Sequence, residues 1–311
     1  MEKRRLGNSN LMASVIGFGA WAAGKAGWGN VDEQEIMEAI QTAYDHGVNF
    51  FDTAPFYGFG ESERILGKAL KPVRDKVIIA TKFGLVWNEK GDFVKDASRK
   101  NILREIDQSL KNLNTDYIDL YQVHWPDDQT PIEETMETLN ELVEKGKVRY
   151  IGVSNFSVEQ MEEARKYANV VSLQSLYNLL QRDVEKAEYP YTEKNGMGFI
   201  PYSPLAQGLL TGKFTPPITL SSNDVRRQFN PLFQEGRFEE NLKKVEKIRT
   251  VAERYNKPTA QVAVNWLLAK PAVTTVITGA KNKEQIMQNI ASSEWKLTGE
   301  DVARLDKLTA V

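Results

Sequence analysis

Tyr117-Ile118-Asp119-Leu120-Tyr121-Gln122-Val123-His124, then Thr130-Pro131-Ile132-Glu133, then Arg149-Tyr150-Ile151-Gly152-Val153-Ser154: two apolar runs enclose the opening of a helix. The runs are short and rich in β-branched and aromatic residues, as strands covered on both faces are. The segment between them has helical length and a start signal, Thr130 with Glu133, whose pattern is a capping box with Pro131 at the first helical position. Strand, helix and strand in this order make a crossover that joins two parallel neighbours of one sheet.

The same unit recurs on either side. Strands are expected near Ser14 to Gly17, Val48 to Asp52, Val77 to Lys82, Tyr117 to His124, Arg149 to Ser154, Val171 to Gln174, Gly198 to Ser203 and Thr274 to Gly279. Asp32 with Glu35 and Ser157 with Gln160 repeat the capping pattern. Ile102, Ile106, Leu110 and Leu113 share one helical face, and Gly47 stands where a helix C-terminus wants a left-handed residue. Repeated βα units in a chain of 311 residues predict one (β/α)8 TIM barrel domain over residues 1–311, with an extra helix at its C-terminus.

Two stretches break the rhythm. Lys3 to Leu6 and Leu11 to Ala13 flank Gly7-Asn8-Ser9-Asn10 and read as a β-hairpin placed to plug the barrel bottom. Leu209 to about Arg237, rich in Pro, Asn, Ser and Arg, is a long loop between the seventh strand and its helix. Gly17-Phe18-Gly19-Ala20-Trp21-Ala22 fits the dinucleotide fingerprint of a doubly wound sheet, but Gly24, Gly27 and Gly29 follow where that fingerprint needs a helix. A barrel loop running close to a ligand explains those glycines better.

Composition narrows the chemistry. There are no cysteines, so disulfides, thiolate metal sites and a cysteine nucleophile are excluded. Only His46 and His124 supply imidazole, at no metal-binding spacing, and no catalytic metal is expected. Forty basic against forty-two acidic residues, a net charge of −2, leave no long basic run for nucleic acid. No apolar stretch is long enough to span a bilayer and MEKRRLGNSNLM lacks a signal-peptide core, so a cytoplasmic protein is expected.

Barrel enzymes work at the C-terminal ends of their strands, which singles out Asp52, Lys82 and His124 as strand-end residues and Tyr57 in the loop after Asp52. Taken singly each has an ordinary reading: a helix cap, a solvated charge, a core histidine, a packing tyrosine. Together they suit carbonyl reduction, which needs a proton donor on the developing alkoxide. A phenol titrates near 10, a neighbouring Lys82 ammonium favours the phenolate and lowers that value, Asp52 keeps the ammonium charged, and His124 can donate a hydrogen bond to the carbonyl oxygen. Trp21, Trp28, Trp87 and Trp125 fall in loops after strands, with Phe56 beside Tyr57; an aromatic mouth or plain loop packing fits them equally.

The landmarks Gly17 to Trp21, Asp52-Thr53-Ala54 to Tyr57, Gly60-Glu61-Ser62-Glu63, Thr81-Lys82, Asp116 to His124, Lys147 to Gly152, Val153-Ser154-Asn155-Phe156, Gln174 to Asn178, Tyr202-Ser203-Pro204-Leu205 and Gly279-Ala280-Lys281 occur in one order along the chain. In this the sequence resembles the aldo-keto reductase family over essentially its whole length, most closely the bacterial group of general stress and inositol-operon reductases, with relatives among potassium-channel β subunits. The resemblance implies a catalytic tetrad of Asp52, Tyr57, Lys82 and His124 and an NADPH cofactor. It implies that Ser154, Asn155 and Gln174 hold the nicotinamide carboxamide and that Tyr202 lies under its ring. Gly19, Ala20, Trp21 and Asp52 would flank the cofactor, Ser203, Pro204, Leu205, Gln207, Gly208 and Lys213 its pyrophosphate, and Gly279, Lys281, Gln285, Gln288 and Asn289 its adenosine end. Lys281, helped by Lys283 or Arg227, would meet a 2′-phosphate, although the group often carries a basic pair where Lys281 is followed by Asn282. Two other functions use the same residues: a redox-sensing module that retains NADPH and turns over slowly, and an aldolase with Lys82 as Schiff-base nucleophile.

Overall fold

A computed structural model of the chain describes residues 1–25, 32–87, 92–215, 220, 224, 226 and 230–310. The order of elements is β1 (Lys3–Arg5), β2 (Met12–Ser14), β3 (Ile16–Gly19), α1 (Glu33–Asp45), β4 (Phe50–Asp52), α2 (Glu61–Leu70), β5 (Ile78–Phe83), β6 (Leu85–Trp87), β7 (Phe93–Lys95) and α3 (Arg99–Leu113). It continues with β8 (Ile118–Val123), α4 (Ile132–Glu144), β9 (Val148–Ser154), α5 (Val158–Tyr167), β10 (Val170–Leu176), α6 (Glu188–Lys194) and β11 (Gly198–Tyr202). The chain ends with α7 (Arg237–Arg254), α8 (Thr259–Leu268), β12 (Val276–Gly279), α9 (Lys283–Ile290) and α10 (Gly299–Leu308).

Eight of these strands form one parallel sheet in the order β11-β10-β9-β8-β5-β4-β3-β12. The Phe199 amide donates to the Ala272 carbonyl at 2.9 Å and the Thr274 amide to the Phe199 carbonyl at 2.9 Å, joining the two sheet edges into the expected (β/α)8 barrel. No helix among the described residues is long and apolar enough to cross a membrane.

Alternation of side chains along each strand builds two shells of core. Phe50, Ile78, Leu120, Ile200 and Ile277 fill the barrel, while their sequence neighbours Phe51, Ile79, Tyr121, Phe199 and Val276 face the helices. β1 and β2 pair antiparallel, and Leu6, Leu11 and Ala13 from this hairpin join the inner shell at the N-terminal end, as the plug reading expects. Gly7 makes the turn possible: with φ at 53°, a side chain there would lie 2.2 Å from the Val171 carbonyl oxygen.

Two of the three expected helix starts are capped as the sequence foresees. The Asp32 side chain accepts from the Glu35 amide, and Ser157 with Gln160 forms a complete capping box. The Thr130 expectation is corrected: α4 is capped by Pro131 without a side-chain bond, because the Thr130 hydroxyl donates instead to Asp127 at 2.7 Å. Where the sequence predicts a loop after the third barrel strand, β6 and β7 form a separate two-stranded antiparallel hairpin at the C-terminal rim. Leu85-Val86-Trp87 and Phe93-Val94 on either side of Gly91-Asp92 carried that signal.

Leu6 is fully buried at the barrel bottom, so Leu6→Ala is expected to cost about 2–5 kcal/mol. Urea unfolding checks this; the exposed Arg5→Ala should stay within about 0.5 kcal/mol of the parent.

Candidate active site

Extending the inward parity by two residues beyond the apolar layer turns the barrel lining polar. Asp52 follows Phe50 and Phe51, Lys82 follows Ala80, Gln122 follows Leu120 and Tyr202 follows Ile200, each two places beyond an inner-shell residue. Register does the rest: Lys82 pairs with Gln122 across β5 and β8, and Ser154 pairs with Gln174 across β9 and β10.

The centre of this layer is a buried ion pair. The Lys82 ammonium donates to Asp52 Oδ1 at 2.6 Å and to the Thr53 carbonyl at 2.9 Å, and lies 3.5 Å from the Tyr57 hydroxyl. The other oxygen, Asp52 Oδ2, accepts from Gln174 Nε2 at 2.9 Å and Gln122 Nε2 at 3.4 Å. Desolvation works against the Lys82 charge, but Asp52 and Tyr57 outweigh it and raise the ammonium above the usual lysine value.

Tyr57 is held by backbone and by rings. The peptide at Gly58, with φ at 63°, presses on Gly24 so closely that a Cβ would meet the Gly24 carbonyl oxygen at 2.1 Å. Ser62 donates to the Ala20 carbonyl at 2.7 Å and bonds Thr53 at 2.8 Å, tying the loops after β3 and β4 together. Trp21 stacks on Tyr57 at 5.9 Å and His124 meets it edge-on at 5.9 Å. The expected lowering of the phenol pKa is corrected: burial raises it, and the Lys82 charge recovers only part of that rise. The phenol therefore keeps its proton at neutral pH. Burial, then the Lys82 charge, push His124 well below the ordinary imidazole value, so it is a neutral ring.

Around this centre the structure brings most of the sequence-predicted residues together. Tyr202 donates to Asn155 Oδ1 at 3.0 Å, and Asn155 Nδ2 reaches Ser154 Oγ at 3.0 Å and the His124 carbonyl at 3.1 Å. Asn155, Ser203, Ala206 and Gln207 all have φ between 48° and 61°, a left-handed backbone that is costly away from glycine and concentrates at functional sites. Pro204 is buried and Leu205 packs on the outer core, setting the path of the chain toward Gln207 and Gly208. Gly19 and Gly279 are paired across β3 and β12 at the same rim, with Ala20 and Trp21 in the short helical turn that follows.

Lys281 follows β12. Its ammonium is depressed by partial burial and by the charges of Arg226 and Lys213. Lys213 and Arg226 flank the same Phe214 ring at 5.3 and 5.7 Å, and Arg226 also reaches the Gln207 carbonyl at 3.4 Å. Three cations thus gather at one end of the site, with Asp224 salt-bridged to Arg226 at 2.6 Å. Gln285 accepts from the Lys281 amide at 2.9 Å and Asn289 donates to the Gly279 carbonyl at 3.1 Å, fixing this loop; Gln288 is exposed beside them. Lys283 is exposed. Trp28 and Arg227 lie outside the described residues.

The mouth is aromatic. Phe56 stacks on Trp87 at 4.7 Å with the rings 5° from parallel, Phe93 meets both edge-on, and Phe59 packs on Trp87 at 5.2 Å. Trp125 stands apart from this stack, with Lys95 5.8 Å over its ring. Sequence reading missed Gln122, Arg226, Phe59 and Phe93: the first looks like any strand residue until its parity is counted, and the others sit in loops or in the unforeseen hairpin. That hairpin is tethered where it leaves the barrel, for the Gly84 amide donates at 2.7 Å to Glu105, whose burial lifts its carboxyl to about 7. No group of three His, Cys, Asp or Glu side chains among the described residues is arranged to hold a metal ion.

The sequence signature of the aldo/keto reductase family matches residues 15–310. The chain is 44% identical to aldo-keto reductase YhdN of Bacillus subtilis, over 97% of this chain and 91% of that protein. It is 33% identical to the NADH-specific methylglyoxal reductase of Escherichia coli, over 99% and 98% of the two chains. Among solved structures, the glycerol dehydrogenase AKR11B4 of Gluconobacter oxydans superposes with a TM-score of 0.92 at 37% identity, covering 99% of this chain and 95% of that one.

Because the folded protein depresses the His124 pKa, neutral His124 favours the native state above the unfolded imidazole value of about 6.5, and that contribution fades as pH falls below it. An NMR titration of His124 Cε1–H is expected to show no protonation midpoint between pH 6 and 8. A midpoint at or above 6.5 would mean the ring carries a proton that the Lys82 charge and burial should exclude.

Proposed function

The chain belongs to the aldo/keto reductase family, and on that premise we propose that it reduces an aldehyde or ketone with NADPH, Tyr57 acting as proton donor. The observation that carries this reading is the line Asp52, Lys82, Tyr57, with contacts of 2.6 and 3.5 Å, opening onto a neutral His124 at the aromatic mouth. Family membership makes the protein an oxidoreductase that uses a nicotinamide cofactor; the choice of NADPH and the residue roles are the proposal.

The residues present fit that cofactor. The left-handed residues Ser203, Ala206, Gln207 and Gly208 suit a backbone that cradles an anion, and Lys213, Arg226 and Lys281 supply a cationic end suited to phosphate. In this reading Ser154, Asn155 and Gln174 bind the carboxamide and Tyr202 supports the nicotinamide ring. Gly19, Ala20 and Trp21 line the cofactor beside Asp52. Ser203, Pro204, Leu205, Gln207, Gly208 and Lys213 follow the pyrophosphate, and Gly279, Lys281, Gln285, Gln288 and Asn289 hold the adenosine end. When bound, NADPH supplies the hydride.

The chain's own groups manage the proton. His124, neutral, donates a hydrogen bond to the carbonyl oxygen and stabilises negative charge as it develops there. Tyr57 holds its proton until that oxygen becomes basic enough to take it, and the Lys82 ammonium then stabilises the phenolate left behind. Asp52 keeps Lys82 charged and aimed. The same ion pair disfavours the aldolase reading, since a Schiff-base lysine must lose its proton and Lys82 is held protonated. Trp21, Phe56, Trp87 and Trp125 suit a carbonyl compound with an apolar or aromatic portion. We place this activity in a single cytoplasmic domain with no nucleic-acid partner.

Tyr57→Phe keeps the ring that packs on Trp21 and loses only the hydroxyl. It is expected to lower kcat about 10²- to 10⁴-fold while NADPH affinity, read by fluorescence quenching, stays close to that of the parent. Wild-type kcat on several good carbonyls, with a deuterated cofactor showing that hydride transfer limits the rate, would remove Tyr57 from its role. Lys281→Met is expected to weaken NADPH roughly 10- to 100-fold, the worth of a charged hydrogen bond, and to leave NADH nearly unchanged. Equal losses for both cofactors would overturn the assignment of the 2′-phosphate to Lys281. If purified protein retains NADPH tightly and turns over slowly on every carbonyl in a broad panel, the redox-sensing reading takes its place.

A further inference from the structure

We propose that Gln122 is a positioning residue: it secures the far oxygen of Asp52, so that the near oxygen stays on Lys82 after Gln174 has been drawn to the nicotinamide amide. The proposal rests on the reading above in one respect, that Gln174 binds that amide.

Asp52 has two oxygens and two kinds of partner. Oδ1 takes the Lys82 ammonium at 2.6 Å, and Oδ2 takes Gln174 at 2.9 Å and Gln122 at 3.4 Å. All four side chains are buried, with Gln122 and Lys82 fully so. A carboxylate whose second oxygen lacks a donor in such a place rotates toward any it can find, and its geometry on the first oxygen changes with it.

Of the two donors on Oδ2, Gln174 is the nearer. Its amide also holds Gln122, donating to Gln122 Oε1 at 3.4 Å. The hydrogen bonds of the Gln122 side chain among the described residues are confined to Asp52 and Gln174. Gln174 pairs with Ser154 across β9 and β10, whereas Gln122 pairs with Lys82 across β5 and β8. In the reading above Gln174 turns to the nicotinamide amide, whereas the fully buried Gln122 keeps its place beside Lys82. Once Gln174 turns outward, Gln122 is the donor that remains on Oδ2. Its place beside Lys82 makes it a second contributor to the electrostatics that govern Tyr57, because Asp52 raises the titration of both Lys82 and Tyr57.

Gln122→Met keeps the length of the side chain and removes both the amide's donor and its acceptor. With Asp52 less firmly on Lys82, the coupled Lys82–Tyr57 pair gives up its first proton more readily, so the alkaline limb of the kcat profile moves to lower pH. The expected result is a kcat about tenfold lower at neutral pH, NADPH affinity and carbonyl KM within twofold of the parent, and an alkaline limb displaced downward by half a pH unit or more. A titration of Lys82 by NMR of its ¹³Cε methylene, recorded without substrate, is expected to move in the same direction. Unchanged kcat and unchanged titration overturn the proposal, and so does a lower kcat accompanied only by a lower melting temperature with the pH profile intact. Gln122→Asn, whose shorter amide cannot span to Asp52, is read in the same way if Gln122→Met fails to fold. Should the parent reduce no carbonyl at all, the reductase reading fails while the Lys82 titration still decides the role of Gln122. If Gln174→Met binds cofactor as well as the parent, it is the premise about Gln174 that falls.

Discussion

A lysine ammonium with no solvent contact costs several kcal/mol to bury unless a counter-charge and hydrogen bonds replace its water. Lys82 meets that requirement through Asp52 and the Thr53 carbonyl, and much of the C-terminal rim is arranged to keep those partners in place. Thr53 bonds Ser62, Ser62 reaches the carbonyl of Ala20, and the backbone at Gly58 rests on Gly24, so the loops after β3 and β4 are anchored to the same charge. On the outer side of β5, Thr81 donates to the buried Glu63 at 2.8 Å, and Asn112 from α3 donates to the same carboxyl at 2.9 Å. The strand is thereby tied inward through one residue and outward through its neighbour.

The site divides into two electrical regimes. Around Tyr57 the groups are buried and opposite charges touch: burial keeps the phenol protonated and His124 uncharged, while Asp52 and Tyr57 hold the lysine charged against it. At the other end Lys213, Arg226 and Lys281 gather, and partial burial together with the Arg226 charge depresses both lysines, an arrangement that favours an incoming anion. One relative is named NADH-specific, and under the proposed function the charges at this end are where NADPH and NADH would be told apart.

The strands, the plug and the residues Asp52, Lys82 and His124 were legible because they follow from one periodicity. An inward apolar position fixes the parity of the strand, and a polar residue two places on must line the barrel mouth. Observed strand ends differ from those expected by one or two residues, as at Ile16–Gly19, without changing which residues face inward. What escaped depended on partners distant in sequence. Thr130 reads as a cap until Asp127 competes for its hydroxyl, Arg226 is one of several loop cations until Phe214 and Gln207 give it a place, and the phenol of Tyr57 seems acidified until burial is weighed against Lys82.

The β6–β7 hairpin carries Trp87 and Phe93, yet its ladder runs only between its own two strands. Among the described residues no hydrogen bond of the barrel ladder passes through it, and its junction is fixed by the Gly84 amide on Glu105. Residues on this flap can therefore be exchanged over evolutionary time with little penalty to folding, whereas those one strand earlier, around Lys82, cannot. If Trp87 meets the substrate as proposed, the preference of the mouth can drift while the ion pair at Lys82 is inherited intact.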